Sequence, residues 1–189
     1  MLAADEARNR LILDDVLHAL EEGRSPILLT ERRDHLEYFA EQLRGFVRHL
    51  VVLQGGMTAK ERRELADRLA AVPDAEERLV LATGRYIGEG FDDRRLDTLV
   101  LAVPVSWKGT LVQYTGRLHR LHPRKTEVRI FDYVDREVPV LARMFERRLR
   151  TYRAIGYVRG EAGVGEAEGV RERTVEYDAE AVRYFGEGE

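Results

Sequence analysis

The chain of 189 residues is 44% hydrophobic and 34% charged, with a formal net charge of −3, the proportions of a globular protein large enough for one sizeable core. It holds no cysteine, which excludes disulfides, thiolate catalysis and cysteine-ligated zinc. No apolar run approaches the ~20 residues of a membrane span, and the polar opening MLAADEARNR lacks the pattern of a secretory leader, so the expected location is cytoplasmic.

The first periodic segment, residues 9–22, places Ile12, Val16, Ala19 and Leu20 at helical spacing, with Gly23 as its stop. PILLT (26–30) follows as the first of five short apolar runs. Residues 31–44 return to helical spacing with Leu36, Phe39, Ala40 and Leu43 ahead of Gly45, and HLVVLQ (49–54) is the second run. Thr58 and Glu61 form a capping box for a helix over 59–71. RLVLAT (78–83) and TLVLAV (98–103) are the third and fourth runs, separated by a glycine-rich loop. A helix over 111–121 follows Thr110, which with Gln113 spells a second capping box. VRIFDY (128–133) is the fifth run. Asp135 then precedes a helix over 136–153 with Val138, Leu141, Met144, Phe145, Leu149 and Tyr152 on one side and Pro139 in its first turn.

The five runs are nearly continuous in hydrophobicity rather than alternating, as in strands buried on both faces of a parallel sheet. Their alternation with helices calls for βαβ crossovers. The expected fold is α/β, a three-layer α/β/α domain over residues 1–157 with a mainly parallel sheet of five or more strands. Beyond it, residues 158–189 read as an acidic linker rich in Gly and Glu, ending in a short helix from Asp178. From Arg159 to Glu189 four arginines face nine acidic residues, net −5, against +2 for residues 1–158.

Ligands of such sheets bind at the carboxyl ends of the strands. The third strand ends in ATGRYIGEGFD (82–92), where Gly84, Gly88 and Gly90 let backbone N–H groups crowd against phosphates, Thr83 offers a hydroxyl, and Asp92 can take a ribose hydroxyl. A long turn capped by Asp92 is the structural alternative. QGGMTAKER puts Gly55–Gly56 ahead of the capped helix, either as a phosphate site at the helix N-terminus or as a tight turn. In QYTGRLHRLHPR (113–124), Gln113, Arg117, Arg120 and Arg124 share one helical face and Tyr114, Leu118 and Leu121 the other. Gly116 sits mid-helix at a cost of roughly 1 kcal/mol relative to alanine, as if something must approach closely. A solvated arginine face is the plainer reading, since all but Lys60, Lys108 and Lys125 of the 31 basic residues are arginine. His119 and His122 read as surface residues. RLHRLHPRK and RMFERRLRTYR are either a track for a phosphate backbone or the wet side of a helix.

Taken together and in order, SPILLTER, VVLQGGMTAKER, LVLATGRYIGEGFD and QYTGRLHR resemble motifs IV, IVa, V and VI of superfamily 2 helicases. The resemblance covers roughly residues 10–155 and is to the C-terminal RecA-like lobe, closest in style to DNA helicases of restriction, phage-defence and repair systems. It implies that Arg120 is an arginine finger, that Arg117 is its companion, and that Gln113 stands at the nucleotide. It places Glu89, Gly90 and Asp92 near that nucleotide, and Thr30, Gly55, Gly56, Thr83, Gly84 and Arg85 along a nucleic-acid track. No metal site is implied within the chain. ATP and Mg²⁺ would be held mainly by an N-terminal RecA-like lobe with Walker A and B motifs, in the same parent protein or in a separate chain. The nucleic acid would be DNA in preference to RNA, and no membrane is involved. The G-x-x-x-x-G-K-[ST] phosphate loop is missing, for no Gly-Lys dipeptide occurs. DEAR (5–8) lies in a polar segment with no strand before it, so it is not the acidic box of a motor. The expectation is half a motor, inactive by itself. The alternatives are a degenerate helicase-like lobe that binds nucleic acid or protein without catalysis, and an unrelated lobe such as the nucleotide-sugar half of a glycosyltransferase.

Overall fold

The computed structural model describes residues 4–84, 93–104, 108–135, 138–159 and 170–178. Helix α1 (Glu6–Glu21) starts on Asp5, whose carboxylate accepts from the Arg8 N–H at 3.0 Å. DEAR is thus a helix cap. α1 ends at Gly23, φ 74°, and leads into β1 (Pro26–Thr30). α2 (Arg33–Leu43) ends at Gly45, φ 92°, and β2 (Leu50–Leu53) follows. α3 (Ala59–Ala70) begins with the expected capping box, the Thr58 side chain accepting from the Glu61 N–H and Glu61 accepting from the Thr58 N–H. The order continues with β3 (Leu79–Thr83), β4 (Thr98–Leu101), α4 (Lys108–Leu118), β5 (Glu127–Asp135), α5 (Pro139–Ala154), β6 (Val158–Arg159) and β7 (Val170–Asp178).

The sheet runs β2-β3-β1-β4-β5-β7-β6. The first five strands are parallel, and β7 pairs antiparallel to β5 from Val170↔Asp135 to Asp178↔Glu127. Successive residues explain the continuous apolar runs. Ile27 and Leu29 face Leu69 of α3, Leu111, Tyr114 and Leu118 of α4, and Phe145, Leu149 and Tyr152 of α5. Leu28 between them faces Ile12 and Val16 of α1 and Leu36, Phe39 and Leu43 of α2. The inner strands β1, β3 and β4 are therefore buried on both faces, and each Leu or Ile fully buried in this way contributes about 1.5–3 kcal/mol. The three-layer parallel architecture matches the sequence expectation.

Three details differ from it. α4 begins at Lys108, so Thr110 lies inside the first turn and is not its N-cap. It ends at Leu118, which leaves Leu121 81% exposed instead of on the apolar face. α5 begins at Pro139 with Val138 as its N-cap, because Asp135 is the last residue of β5 and is buried beside Arg8 at 3.7 Å. Residues 170–178, within the stretch that reads as linker, form a nine-residue strand along the open edge of β5. Paired edges demand main-chain hydrogen bonds rather than apolar side chains, so the charged composition of this segment conceals the pairing. The expected helix from Asp178 lies beyond the described residues. No described helix is long and apolar enough to cross a membrane.

Buried charges tie helices to strands. Arg148 of α5 donates Nε–H and Nη2–H to the two carboxylate oxygens of Asp132 at 2.6 and 2.8 Å, and the Tyr152 hydroxyl donates to the same carboxylate at 2.9 Å. Of RMFERRLRTYR, then, Arg148 is core, while Arg143, Arg147, Arg150 and Arg153 form the wet side.

Candidate functional site

The tips of β1 and β3 lie side by side, with Thr30 paired to Thr83. Thr30 is only 1% exposed. Its hydroxyl is 3.1 Å from His35 Nδ1, and His35 Nε2 is 2.9 Å from the side-chain oxygen of Asn9. Burial, helped by the Arg8 charge, pulls the His35 pKa down to about 4. The ring is therefore neutral, donating to Asn9 and accepting from Thr30. The Thr30 hydroxyl faces inward, and the surface of this tip is made by Glu31 and Arg32.

Gly84 follows Thr83 and is buried. The Tyr114 hydroxyl of α4 donates to its carbonyl at 2.6 Å. A Cβ at Gly84 would lie 2.6 Å from that hydroxyl and closer still to Glu31 Oε1. Burial, with the nearby Glu31 charge, pushes the Tyr114 phenol up to about 12, so it remains a donor. One hydrogen bond thus joins the tip of β3 to the helix that carries the arginines. At the neighbouring β2 tip, Gly55 and Gly56 form an exposed turn, with Gly56 at φ 92°. Exposed Lys60 and Arg63 follow in the first turns of α3, a helix whose one fully buried residue is Leu69.

On α4 the arrangement is asymmetric. Tyr114 and Leu118 are buried, while Val112, Gln113 and Gly116 are exposed and Arg117 is half-buried. A Cβ on Gly116 would meet nothing within 4 Å. No described atom of the chain requires glycine there, and the helix offers a shallow saddle on its outer side. Arg120 is exposed in the turn after the helix, and its N–H approaches the Arg117 carbonyl at 3.5 Å.

That turn is held by cations on main-chain oxygens. Lys125 Nζ donates at 2.8 Å to each of the carbonyls of Leu118, Arg120 and Arg94. Burial lowers its pKa to about 8, with the Arg78 charge lowering it further and Asp97 and Asp93 opposing. Arg95 donates to the carbonyls of Val72 and Pro73 at 3.1 Å, Asp74 at 3.3 Å and Glu76 at 2.9 Å. Arg124 also donates to the Asp74 carbonyl. Arg124 therefore leaves the row expected of it and anchors the 72–76 loop, whereas Gln113, Arg117 and Arg120 remain at the surface. His119 departs from expectation as well. Its Nε2 is 2.9 Å from the Tyr157 hydroxyl, and burial, reinforced by Lys125, brings its pKa to about 4, so it is a neutral packed residue.

Glu89, Gly90, Asp92 and Arg85 lie outside the described residues. Among the described residues no three His, Asp or Glu side chains gather as a metal-binding group. Two residues that sequence reasoning passed over matter here. Tyr114 carries no signal beyond its apolar spacing. Lys125 carries one, being one of three lysines in a chain that otherwise uses arginine.

Comparison with known proteins matches residues 9–122 to the helicase conserved C-terminal domain. The putative helicase 161L of Invertebrate iridescent virus 6 is 31% identical over 163 residues, 82% of this chain and 35% of that protein. The transcript termination protein A18 of Vaccinia virus (strain Ankara) is 27% identical over 122 residues, 64% of this chain and 24% of that protein. Among solved structures, T4 UvsW is similar with a TM-score of 0.53 at 18% identity, covering 64% of this chain and 24% of that one. The C-terminal part of the Fun30 ATPase domain is similar with a TM-score of 0.52 at 14% identity, over 60% and 37% of the two chains. The chain spans about a quarter to a third of the length of these curated relatives.

Proposed function

The chain belongs to the helicase conserved C-terminal domain family, and from that premise we propose that it is the C-terminal motor lobe of an ATP-dependent helicase or translocase acting on nucleic acid. The observation that carries this reading is the outer side of α4. An amide, an open glycine saddle and two guanidinium groups stand there at or near the surface, while the opposite side of the helix is core. Phosphoryl transfer spreads negative charge over the γ-phosphoryl oxygens. Arg120, with Arg117 beside it, meets that charge with planar paired donors, and Gln113 orients the nucleotide. Such a finger is worth ~10³–10⁵ in rate. Gly90, Glu89 and Asp92, which lie between β3 and β4 in the sequence, complete the nucleotide side.

The triphosphate and its Mg²⁺ belong to a lobe with Walker A and B motifs. Nucleic acid, DNA in preference to RNA, runs over the adjoining tips. The exposed Gly55–Gly56 turn presents backbone to its phosphates, and Thr83, Gly84 and Arg85 belong to the same track. Thr30 acts from beneath, holding its strand end through His35.

ATP hydrolysis measured with the P-loop lobe supplied tests the reading. Wild type should hydrolyse ATP with stimulation by DNA, and Arg120→Ala should lower kcat by at least about 10³-fold. An Arg120→Ala protein with unchanged kcat would leave only a binding module.

A further inference from the structure

Lys125 stands where a chain built on arginine has kept one of its three lysines, and the geometry there suits no other side chain. An ammonium has three N–H groups in a tetrahedral arrangement, and this one meets three carbonyls from two separate segments, each at 2.8 Å. A guanidinium spreads its donors over three nitrogens in one plane and has no single nitrogen that can donate to three oxygens at once. Two of the acceptors, Leu118 and Arg120, are the last carbonyl of α4 and that of the turn after it, the oxygens a helix end leaves without partners. The third, Arg94, belongs to the turn that enters β4. Arg120 lies past the end of α4, and its own N–H is 3.5 Å from the Arg117 carbonyl. The Lys125 ammonium thus ties the Arg120 carbonyl to the turn that enters β4.

We propose that Lys125 is the positioning residue for the Arg120 guanidinium, an ammonium clamp that sets where that arginine enters the ATP site. The proposal rests on the reading of Arg120 as the arginine finger. The logic is that of preorganisation, for a reacting group displaced by about 1 Å can cost on the order of 10²-fold in rate.

The test combines this chain with the P-loop lobe and compares wild type, Lys125→Met, Lys125→Arg, Lys125→Gln and Arg120→Ala in steady-state ATP hydrolysis at saturating DNA. Lys125→Met should lower kcat about ten- to hundredfold while KM for ATP moves less than about twofold. Lys125→Arg should not restore the rate despite its charge, and Lys125→Gln, with two donors, should fall between. In the Arg120→Ala background, Lys125→Met should add less than about a further twofold, since both act through one group. Hydrogen exchange on the chain alone should quicken at amides 119–122 and stay unchanged in β1 and β3, which separates a loosened turn from a misfolded domain. Full kcat in Lys125→Met, recovery in Lys125→Arg, or a loss that multiplies with that of Arg120→Ala overturns the clamp and leaves the finger standing. An Arg120→Ala protein as active as wild type overturns both.

Discussion

Substituting Gly84 by alanine probes the bond that joins the β3 tip to the arginine helix. The backbone tolerates the change, since Gly84 is not among the glycines at positive φ. The obstacle is steric. The new methyl would sit 2.6 Å from the Tyr114 hydroxyl and closer to Glu31 Oε1. Glu31 is exposed and can swing away. Tyr114, 4% exposed and embedded in the same core as Leu111 and Leu118, can move its hydroxyl only by shifting α4 or by breaking its 2.6 Å bond to the Gly84 carbonyl. Losing a net bond of about 1 kcal/mol and stranding a buried donor for about 1–3 more gives a cost of about 2–4 kcal/mol. Tyr114→Phe alone should cost about 1 kcal/mol, because it removes the bond without a clash. In that background Gly84→Ala should cost under about 1 kcal/mol, since the obstructing oxygen is gone. Urea denaturation of the four proteins closes the cycle with a coupling of about 2 kcal/mol. Strict additivity, within about 0.5 kcal/mol, would mean that Gly84 is required for some reason other than Tyr114.

Acid should weaken the fold through His35. With a folded pKa near 4 against 6.5 for the free ring, the unfolded chain takes the proton first. Stability is intact above pH 6.5 and falls by up to about 3 kcal/mol as the pH drops to 4. His35→Gln should flatten that slope in pH-dependent urea midpoints, and an identical slope would refute the assignment. Arg148→Met leaves the Asp132 carboxylate, 1% exposed, without its cation. It should cost about 3–5 kcal/mol by thermal melting, and a loss below about 1 kcal/mol would contradict the buried pair. Gly116→Ala should raise stability by roughly 0.5–1 kcal/mol, because its methyl meets nothing in the chain. ATP hydrolysis with the P-loop lobe should fall in the same protein, and a variant that gains stability with full activity would show that nothing approaches the saddle.

The sequence made the layers legible because local rules decided them. Runs such as PILLT are apolar at every position since both faces of the sheet are covered, and Thr58–Glu61, Gly23 and Gly45 mark helix ends by their own chemistry. What escaped depends on partners distant in the chain. α4 stops at Leu118 because a lysine seven residues on caps it, and Arg124 leaves the arginine row for a carbonyl fifty residues away. His119 is packed because Tyr157 meets it. Strand β7 is recruited by an open edge, and edge pairing leaves little trace in hydropathy. Of the candidate site, the exposed setting of Gln113 could be read from helical spacing, whereas Arg120 is exposed in the turn past the end of α4. The inward turn of the Thr30 hydroxyl could not, because His35 and Asn9 come from two different helices.

Arg95 and the loop it holds have different freedoms to evolve. A guanidinium that grips four peptide oxygens between Val72 and Glu76 reads chiefly the path of those peptides, and of their side chains it meets the Asp74 carboxylate at 3.6 Å. Val72, Pro73 and Ala75 are therefore free to drift in identity across a lineage while their path stays fixed, whereas the arginine opposite them has no substitute with the same reach. A family alignment should then show variable positions at 72, 73 and 75 facing a nearly invariant cation, a signature easily mistaken for a catalytic arginine beside a disordered loop.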